Sequence, residues 1–251
     1  MEHEYKLKKM NQRSINIMPM AGEGKRFKNA GYKLPKPLIK INGESMFVRS
    51  AKCMPKANLW IFLVKEKFLK NGLIEKEINK NFKDSKIVPI RKSTEGQAST
   101  CFLAKKYLQK NDQIFVSSCD NYFEINQNDY LDKSKKYDVL IFTTEANKIH
   151  VENPNWFGWV KNNKNGSLEI SCKKQISSTP INDRIIVGSF FFRNLSSFQN
   201  SIESLFKKKN KINNEYYLDM AIIEALALGL NVGEVIVKNY SSWGSFEELE
   251  K

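Results

Sequence analysis

The chain has 251 residues, 41% of them hydrophobic, with 41 Lys and Arg against 27 Asp and Glu for a formal charge of +14. That length holds one sizeable core, and no apolar run reaches the roughly 18 residues of a membrane span or resembles a secretory leader, so a soluble cytoplasmic protein is expected. Cys53, Cys101, Cys119 and Cys172 form no CxxC pair and read as reduced thiols rather than a disulfide framework.

Residues 1–13, MEHEYKLKKMNQR, are polar, charged and aperiodic and read as a flexible tail; a single domain is expected over 14–251. INIMPM, NLWIFLV (58–64), KIVPI (86–90) and QIFVSS (113–118) read as buried strands, with helical patterns at 46–54, 73–81 and 97–109 between them. Such alternation predicts βαβ units and a largely parallel sheet covered by helices. After about residue 137 the texture turns to YDVLIFTTE, WFGWVKN, GSLEISCKK and RIIVGSFFFRN, strands separated by turns, with a hairpin signal at NNKNGS (162–167). Helices are predicted over 197–208 and 215–229, the second closed by Gly229, before a last strand VGEVIV.

The positive balance favours anionic partners, although a chain rich in Lys and Asn carries charge through composition alone. KSKK (133–136) and FKKKN (206–210) read as solvated faces, and with no RNP-like strand motif or zinc-finger spacing nucleic acid is not the expected partner.

The chemistry concentrates in MAGEGKRF and PKPLI. GEGKRF lacks the third glycine of a dinucleotide fingerprint, and Pro35 and Pro37 break the helix that should follow. It is no Walker A loop either, because its glycine spacing differs and no Gly-Lys-Ser/Thr closes it. What remains is a glycine turn at the carboxyl end of a first strand, the place where open α/β sheets bind ligands. Gly22 and Gly24 let main-chain N–H groups approach a nucleotide. Lys25 adds charge, Arg26 offers a planar fork for two phosphate oxygens, and Lys36, stiffened by its flanking prolines, offers a positioned point charge.

This pattern resembles the signature loop AAGxGxRLxPxTxxxPKPLxP of the sugar-phosphate nucleotidylyltransferase family, with Met20 where an alanine is usual. The resemblance runs through nearly the whole chain from Ile15. It implies a single Rossmann-like, GT-A-like α/β domain with a mixed, mainly parallel central sheet flanked by helices. It also implies a nucleotide bound by Ala21, Gly22, Gly24 and Lys25, with Arg26 and Lys36 catalytic. STEGQAST (93–100) is similar to the family's base-holding segment, giving Gly96 to a close approach of the base and Gln97 or Ser99 to its edge. Read without the family, Ser93 or Thr94 simply caps a helix there. IFVSSCDNYF looks like the strand whose terminal carboxylate, Asp120, binds nucleotide and Mg2+. On the acceptor side, NWFGWV contributes Gly158, ISCKKQIS resembles an EKP segment that would put Lys174 on the acceptor phosphate, IIVGSFFFRN contributes Gly188, and NNEYYLD contributes Glu215. YSSWGSFEELE resembles YWxDIGTPEDL, with Ser242 where the family has its second metal-binding Asp, so the magnesium is held either by Asp120, phosphates and water or by a substitute carboxylate such as Glu215 or Asp219.

The activity implied is Mg2+-dependent attack of an acceptor phosphate on the α-phosphorus of a nucleoside triphosphate, releasing pyrophosphate. A phosphate monoester is already anionic near neutral pH, which suits a chain whose His3 and His150 lie outside every motif. The MPMAGEGxRF variant and the short length resemble capsule and cell-surface enzymes and suggest CTP as donor and phosphoglutamine as acceptor. Short length also argues against an appended β-helix or acyltransferase domain, and the family allows a homodimer. A guanylyl- or uridylyltransferase acting on a sugar 1-phosphate is the near alternative. A GT-A glycosyltransferase or a nucleotide-binding sensor is the alternative of another class: SSCDNYF lacks the DxD of the former, and Ser242 is what favours the latter.

Overall fold

The computed structural model describes residues 12–163, 166–244 and 249. The tail expected at 1–13 falls outside these residues as far as 11, but Arg13 belongs to the folded domain. Its guanidinium donates to the buried Asp112 carboxylate at 2.7 Å and its carbonyl accepts from Gln113 N at 2.8 Å. A buried carboxylate needs such a partner, which is why Arg13, just before the first strand, is tied to the domain.

Alternating β and α patterns form as predicted. β1 (Ser14–Met20) is followed by the short helix α1 (Lys25–Asn29), the small strands β2 (Lys40–Ile41) and β3 (Glu44–Ser45), and helix α2 (Met46–Ala51). Next come β4 (Leu59–Lys65), α3 (Leu73–Asn81), β5 (Ser85–Ile90), α4 (Gln97–Phe102) and β6 (Gln113–Ser117). The second half holds β7 (Asn121–Glu124), α5 (Gln127–Lys136), β8 (Val139–Glu145), α6 (Lys148–Glu152), β9 (Gly158–Asn162), β10 (Leu168–Cys172) and β11 (Arg184–Phe192). It closes with α7 (Leu195–Lys208), α8 (Leu218–Ala227), β12 (Val232–Ile236) and β13 (Lys238–Ser242). No helix among the described residues is long and apolar enough to cross a membrane.

The main sheet runs β10-β9-β11-β6-β1-β4-β5, with β8 on the other side of β11 and β12 beyond it. β1, β4, β5 and β6 pair in parallel, as do β8 and β12. Within this sheet β10 and β11 run against the direction shared by the other strands. Pro89 in β5 is tolerated because β5 is an edge strand, where one row of ladder bonds is absent.

The period-2 alternation of β1 divides the core between two faces. Ile15 and Ile17 face a cluster with Ala98 and Cys101 of α4, Phe198, Ile202 and Leu205 of α7, and Leu218 to Ala225 of α8. Met18 and Met20 face the opposite cluster with Phe47 of α2, Ile74 and Ile78 of α3, and Tyr130 of α5. Helices on both faces thus bury a nearly continuous apolar strand on each side.

Two irregularities shape the site. The ladder of β11 shifts register between Ile186 and Phe190, around Gly188 at φ +76°. Before the bulge β11 pairs with β9, and after it the same edge pairs with β6, so these two neighbours meet end to end and part at Gly188. Second, β13 pairs antiparallel with β7, setting Ser242 opposite Asn121, while Trp243 N donates to the Asp120 carbonyl at 2.7 Å. This ribbon, unannounced in the sequence, carries residue 242 to the end of β6.

Candidate active site

A cleft of about 810 Å3 lies over the carboxyl ends of β1, β4, β5 and β6 and extends to the parting of β6 and β9. Along its sheet side stand Ala21, Gly22, Gly24, Lys25 and Arg26 of the first loop, Lys36 of the Pro-Lys-Pro triplet, and Gly96 and Gln97 of the second segment. Asp120, Gly158, Gly188 and Glu215 complete the set of predicted residues that line it. Ser99 and Lys174 do not. Lys174 is exposed, and its neighbour Lys173 takes the cleft position. The turn after β10 explains the swap: Lys173 has φ +60°, so the chain reverses locally and presents one lysine inward and the next to solvent.

The first loop is drawn against the triplet. Gly24, at φ +62°, precedes α1, and a Cβ there would stand 3.2 Å from Lys36 Cβ. Lys36 Nζ donates to Asp120 Oδ2 at 2.5 Å and to the Gly244 carbonyl at 3.2 Å, with the Phe27 ring centroid 5.1 Å away. Burial works to raise the Asp120 carboxyl, but the Lys36 charge, its hydrogen bond and one from Ser118 outweigh it and hold the group below the usual carboxylate range. The predicted phosphate cation and the predicted metal carboxylate are therefore each other's partner here.

Arg26 reaches toward the β9–β10 side of the cleft, its guanidinium 5.2 Å from the Trp156 ring centroid. Lys173 Nζ donates to the Trp156 carbonyl and lies 5.0 Å from the Tyr217 ring centroid. Asp219 sits behind Gly158: a Cβ on that glycine would come within 2.7 Å of Asp219 Oδ2. Burial raises the Asp219 carboxyl despite Lys173 and the Cys172 thiol. Burial, with Glu215 beside it, also pushes the Tyr217 phenol up to about 12.

Gly96 lines the cleft and is also packed tightly against the chain's own backbone. At φ +107°, its missing Cβ would stand 2.7 Å from both the N and O of Tyr216. That backbone is itself tied down: Tyr216 N donates to the Glu95 carbonyl while Ala98 N donates to that of Tyr216. Neither Ser93 nor Thr94 caps α4, because Gly96 holds the N-cap position and Thr94 turns its hydroxyl to Thr100.

Three groups escaped the sequence reading. Lys65, at the end of β4, lines the cleft and pairs with Glu23 of the first loop. Trp156 and Lys173 border the β9–β10 side of the cleft; a Trp two residues before Gly158 was the available signal for the first. Ser242 lies beside Asn121, the first residue of β7, whereas Asp219 is held against Cys172, at the end of β10, at 3.8 Å. Among the described residues no three His, Cys, Asp or Glu side chains gather as a metal cage.

The family model for nucleotidyl transferases matches residues 16–217. A nucleoside-diphosphate-sugar pyrophosphorylase from Vibrio cholerae RC9 superposes with a TM-score of 0.76 at 20% identity, over 94% of this chain and 98% of that one. An inositol-1-phosphate CTP transferase from T. maritima gives 0.70 at 19% identity over 94% and 91%. HddC from Yersinia pseudotuberculosis gives 0.67 at 14% over 95% and 97%. At these identities the likeness is one of fold. No curated protein matches the sequence.

Proposed function

This chain belongs to the nucleotidyl transferase family, and on that premise we propose that it joins the nucleoside monophosphate of an NTP to a phosphorylated small molecule, with CTP as donor and phosphoglutamine as acceptor. In this reading an acceptor phosphate oxygen attacks the α-phosphorus. The bond from that phosphorus to the bridging oxygen breaks, and pyrophosphate leaves with the electron pair. No proton has to be removed from the nucleophile.

The observation that carries the proposal is the Lys36–Asp120 pair at 2.5 Å, set in a cleft at the carboxyl ends of β1 and β6. Two polyanions must be held in line, and positioned positive charge is the means. Lys36 and Arg26 would hold the triphosphate. Lys173 takes the role the sequence gave to Lys174, binding the acceptor phosphate, because it is the lysine that faces the cleft. Gly22 and Gly24 bring loop N–H groups to the nucleotide, with Lys25 at the rim, while Gln97 supplies an amide for the base.

Mg2+ fits this donor set in one form. Asp120 is a single carboxylate in a cleft that Ser242 also lines, which suits a hard cation carried mainly by substrate phosphates and water rather than by a protein cage. When bound it would act as a Lewis acid on the phosphoryl oxygens. Lys36 would then release Asp120 and turn to the phosphates.

The acceptor wall supports a zwitterionic acceptor. Glu215 and Asp219 can accept from an ammonium group, and Lys173 can donate to a carboxylate or phosphate. The near alternatives in donor and acceptor separate in one assay: pyrophosphate release, crossing four NTPs with phosphoglutamine, phosphocholine and a panel of sugar 1-phosphates, with Asp120→Ala as control. Release confined to CTP with phosphoglutamine and lost in the variant is the expected result. Silence in every combination would overturn the proposal.

A further inference from the structure

Lys65 stands one residue beyond the Met20–Val64 pairing of β1 with β4. Its side chain is 10% exposed and lines the cleft. The ammonium has two partners among the described residues: a carboxylate oxygen of Glu23, which lies between the two glycines of the first loop, and Ser93 Oγ at 3.1 Å, in the turn after β5. Lys67 also holds Glu23, and Lys28 approaches it at 3.6 Å. One enclosed ammonium therefore joins the loops that follow three adjacent strands, β1, β4 and β5.

A mere staple is a poor use of such a group. Enclosing an ammonium is costly, and burial, then Lys67, lowers the Lys65 pKa. An apolar side chain would fill the same place without that cost. Two partners leave a third ammonium proton with a cleft in front of it. Position says what it would meet. The Lys36–Asp120 pair lies at the ends of β1 and β6, and β4 is the next strand outward. Two strand spacings separate β6 from β4, roughly 10 Å. Lys65 bonds Ser93 at the head of the 93–100 segment, whose Gly96 and Gln97 line the cleft and are assigned to the base, so Lys65 faces the base end of a bound nucleotide. An ammonium only donates, so its target is an acceptor atom.

We propose that Lys65 is a nucleotide-positioning residue that donates, from beneath the glycine loop, to an acceptor atom on the base of the bound NTP, with Glu23 holding the ammonium in place. This rests on the nucleotidyl-transfer reading and adds a contact that the family motif does not mark.

Binding without acceptor tests it, because no turnover is needed. Isothermal titration would compare the NTP that supports turnover with inorganic triphosphate, on wild type, Lys65→Met and Lys65→Gln. The expected result is a loss of about 10- to 100-fold in NTP affinity for Lys65→Met, the range of a hydrogen bond from a charged group. Triphosphate affinity should be unchanged, and Lys65→Gln, still a donor, should recover part of the loss. If Lys65→Met does not fold, Lys65→Gln carries the comparison, with a smaller loss for the NTP alone. Equal weakening of triphosphate and NTP would make Lys65 a phosphate contact and overturn the inference, and so would wild-type NTP affinity in both variants. In either of those cases wild-type turnover leaves nucleotidyl transfer standing, whereas a wild type that binds no NTP would overturn both.

Discussion

Replacing Gly96 by Ala strikes the join between the two walls of the cleft. The new Cβ would meet Tyr216 N and O at 2.7 Å each and Glu215 Cβ at 2.9 Å, at a φ of +107°. Two of these three atoms are backbone, which cannot swing aside as a side-chain tip can. Holding an alanine in that region of φ,ψ costs about 1–3 kcal/mol, and forcing a methyl into filled space costs about 1–3 kcal/mol more. A loss of about 4 kcal/mol, with a urea slope of about 3 kcal/mol per molar, lowers the unfolding midpoint by about 1 M. Gly22→Ala is the control, since a Cβ there meets nothing within 4 Å and its φ is ordinary; its midpoint should stay within experimental scatter. Urea unfolding followed by circular dichroism reads both. Equal midpoints for Gly96→Ala and wild type would refute the claim that the 215–216 backbone demands this glycine.

Lys173→Ala should raise the acceptor KM about 10- to 100-fold by removing a charge-assisted hydrogen bond, while Lys174→Ala leaves steady-state kinetics near wild type; the reverse order would restore the sequence assignment. Ser242→Asp places a second carboxylate beside Asp120 and should lower the Mg2+ concentration for half-maximal rate several-fold, and an unchanged metal titration would show that residue 242 lies off the metal. Burial pushes the His150 imidazole down from 6.5 to about 4. The unfolded chain therefore takes up this proton first, so its contribution to stability is complete above pH 6.5 and falls as pH drops through the window to about 4. Urea midpoints at pH 7 and 4.5 should converge more closely in His150→Phe than in wild type.

The strands and helices were legible where apolar period and turn residues agreed. Residues 73–81 form the helix their pattern predicts, and the predicted stretch 97–109 is α4 followed by a 3-10 turn at Leu103–Tyr107. Strand direction was not legible in the second half. Alternating apolar residues look the same in a parallel and an antiparallel ladder, so nothing local in RIIVGSFFFRN says that β11 inserts between β6 and β8 or bulges at Gly188. The β7–β13 ribbon joins residues more than a hundred positions apart through backbone bonds, which leave no mark on side-chain identity.

In the site, motif glycines and cations were legible because their chemistry is rare, and the first loop, Lys36 and Asp120 do line one cleft. Adjacent lysines at 173 and 174 were not separable, since a single left-handed residue decides which one faces inward. Lys65 ends an apolar strand and belongs to no motif; only the approach of Glu23 and Ser93 in space marks it.

Transfer of the nucleotidyl group is read from the fate of a label. Parallel reactions with NTP carrying 32P at the α or at the γ position, run with the acceptor that supports pyrophosphate release, follow the two halves of the molecule. Nucleotidyl transfer puts the α-label in an acceptor–nucleotide product and the γ-label wholly in pyrophosphate, with neither transfer in Asp120→Ala. Label from the γ position on the acceptor, or α-label remaining in unchanged NTP while the protein binds it, would contradict it.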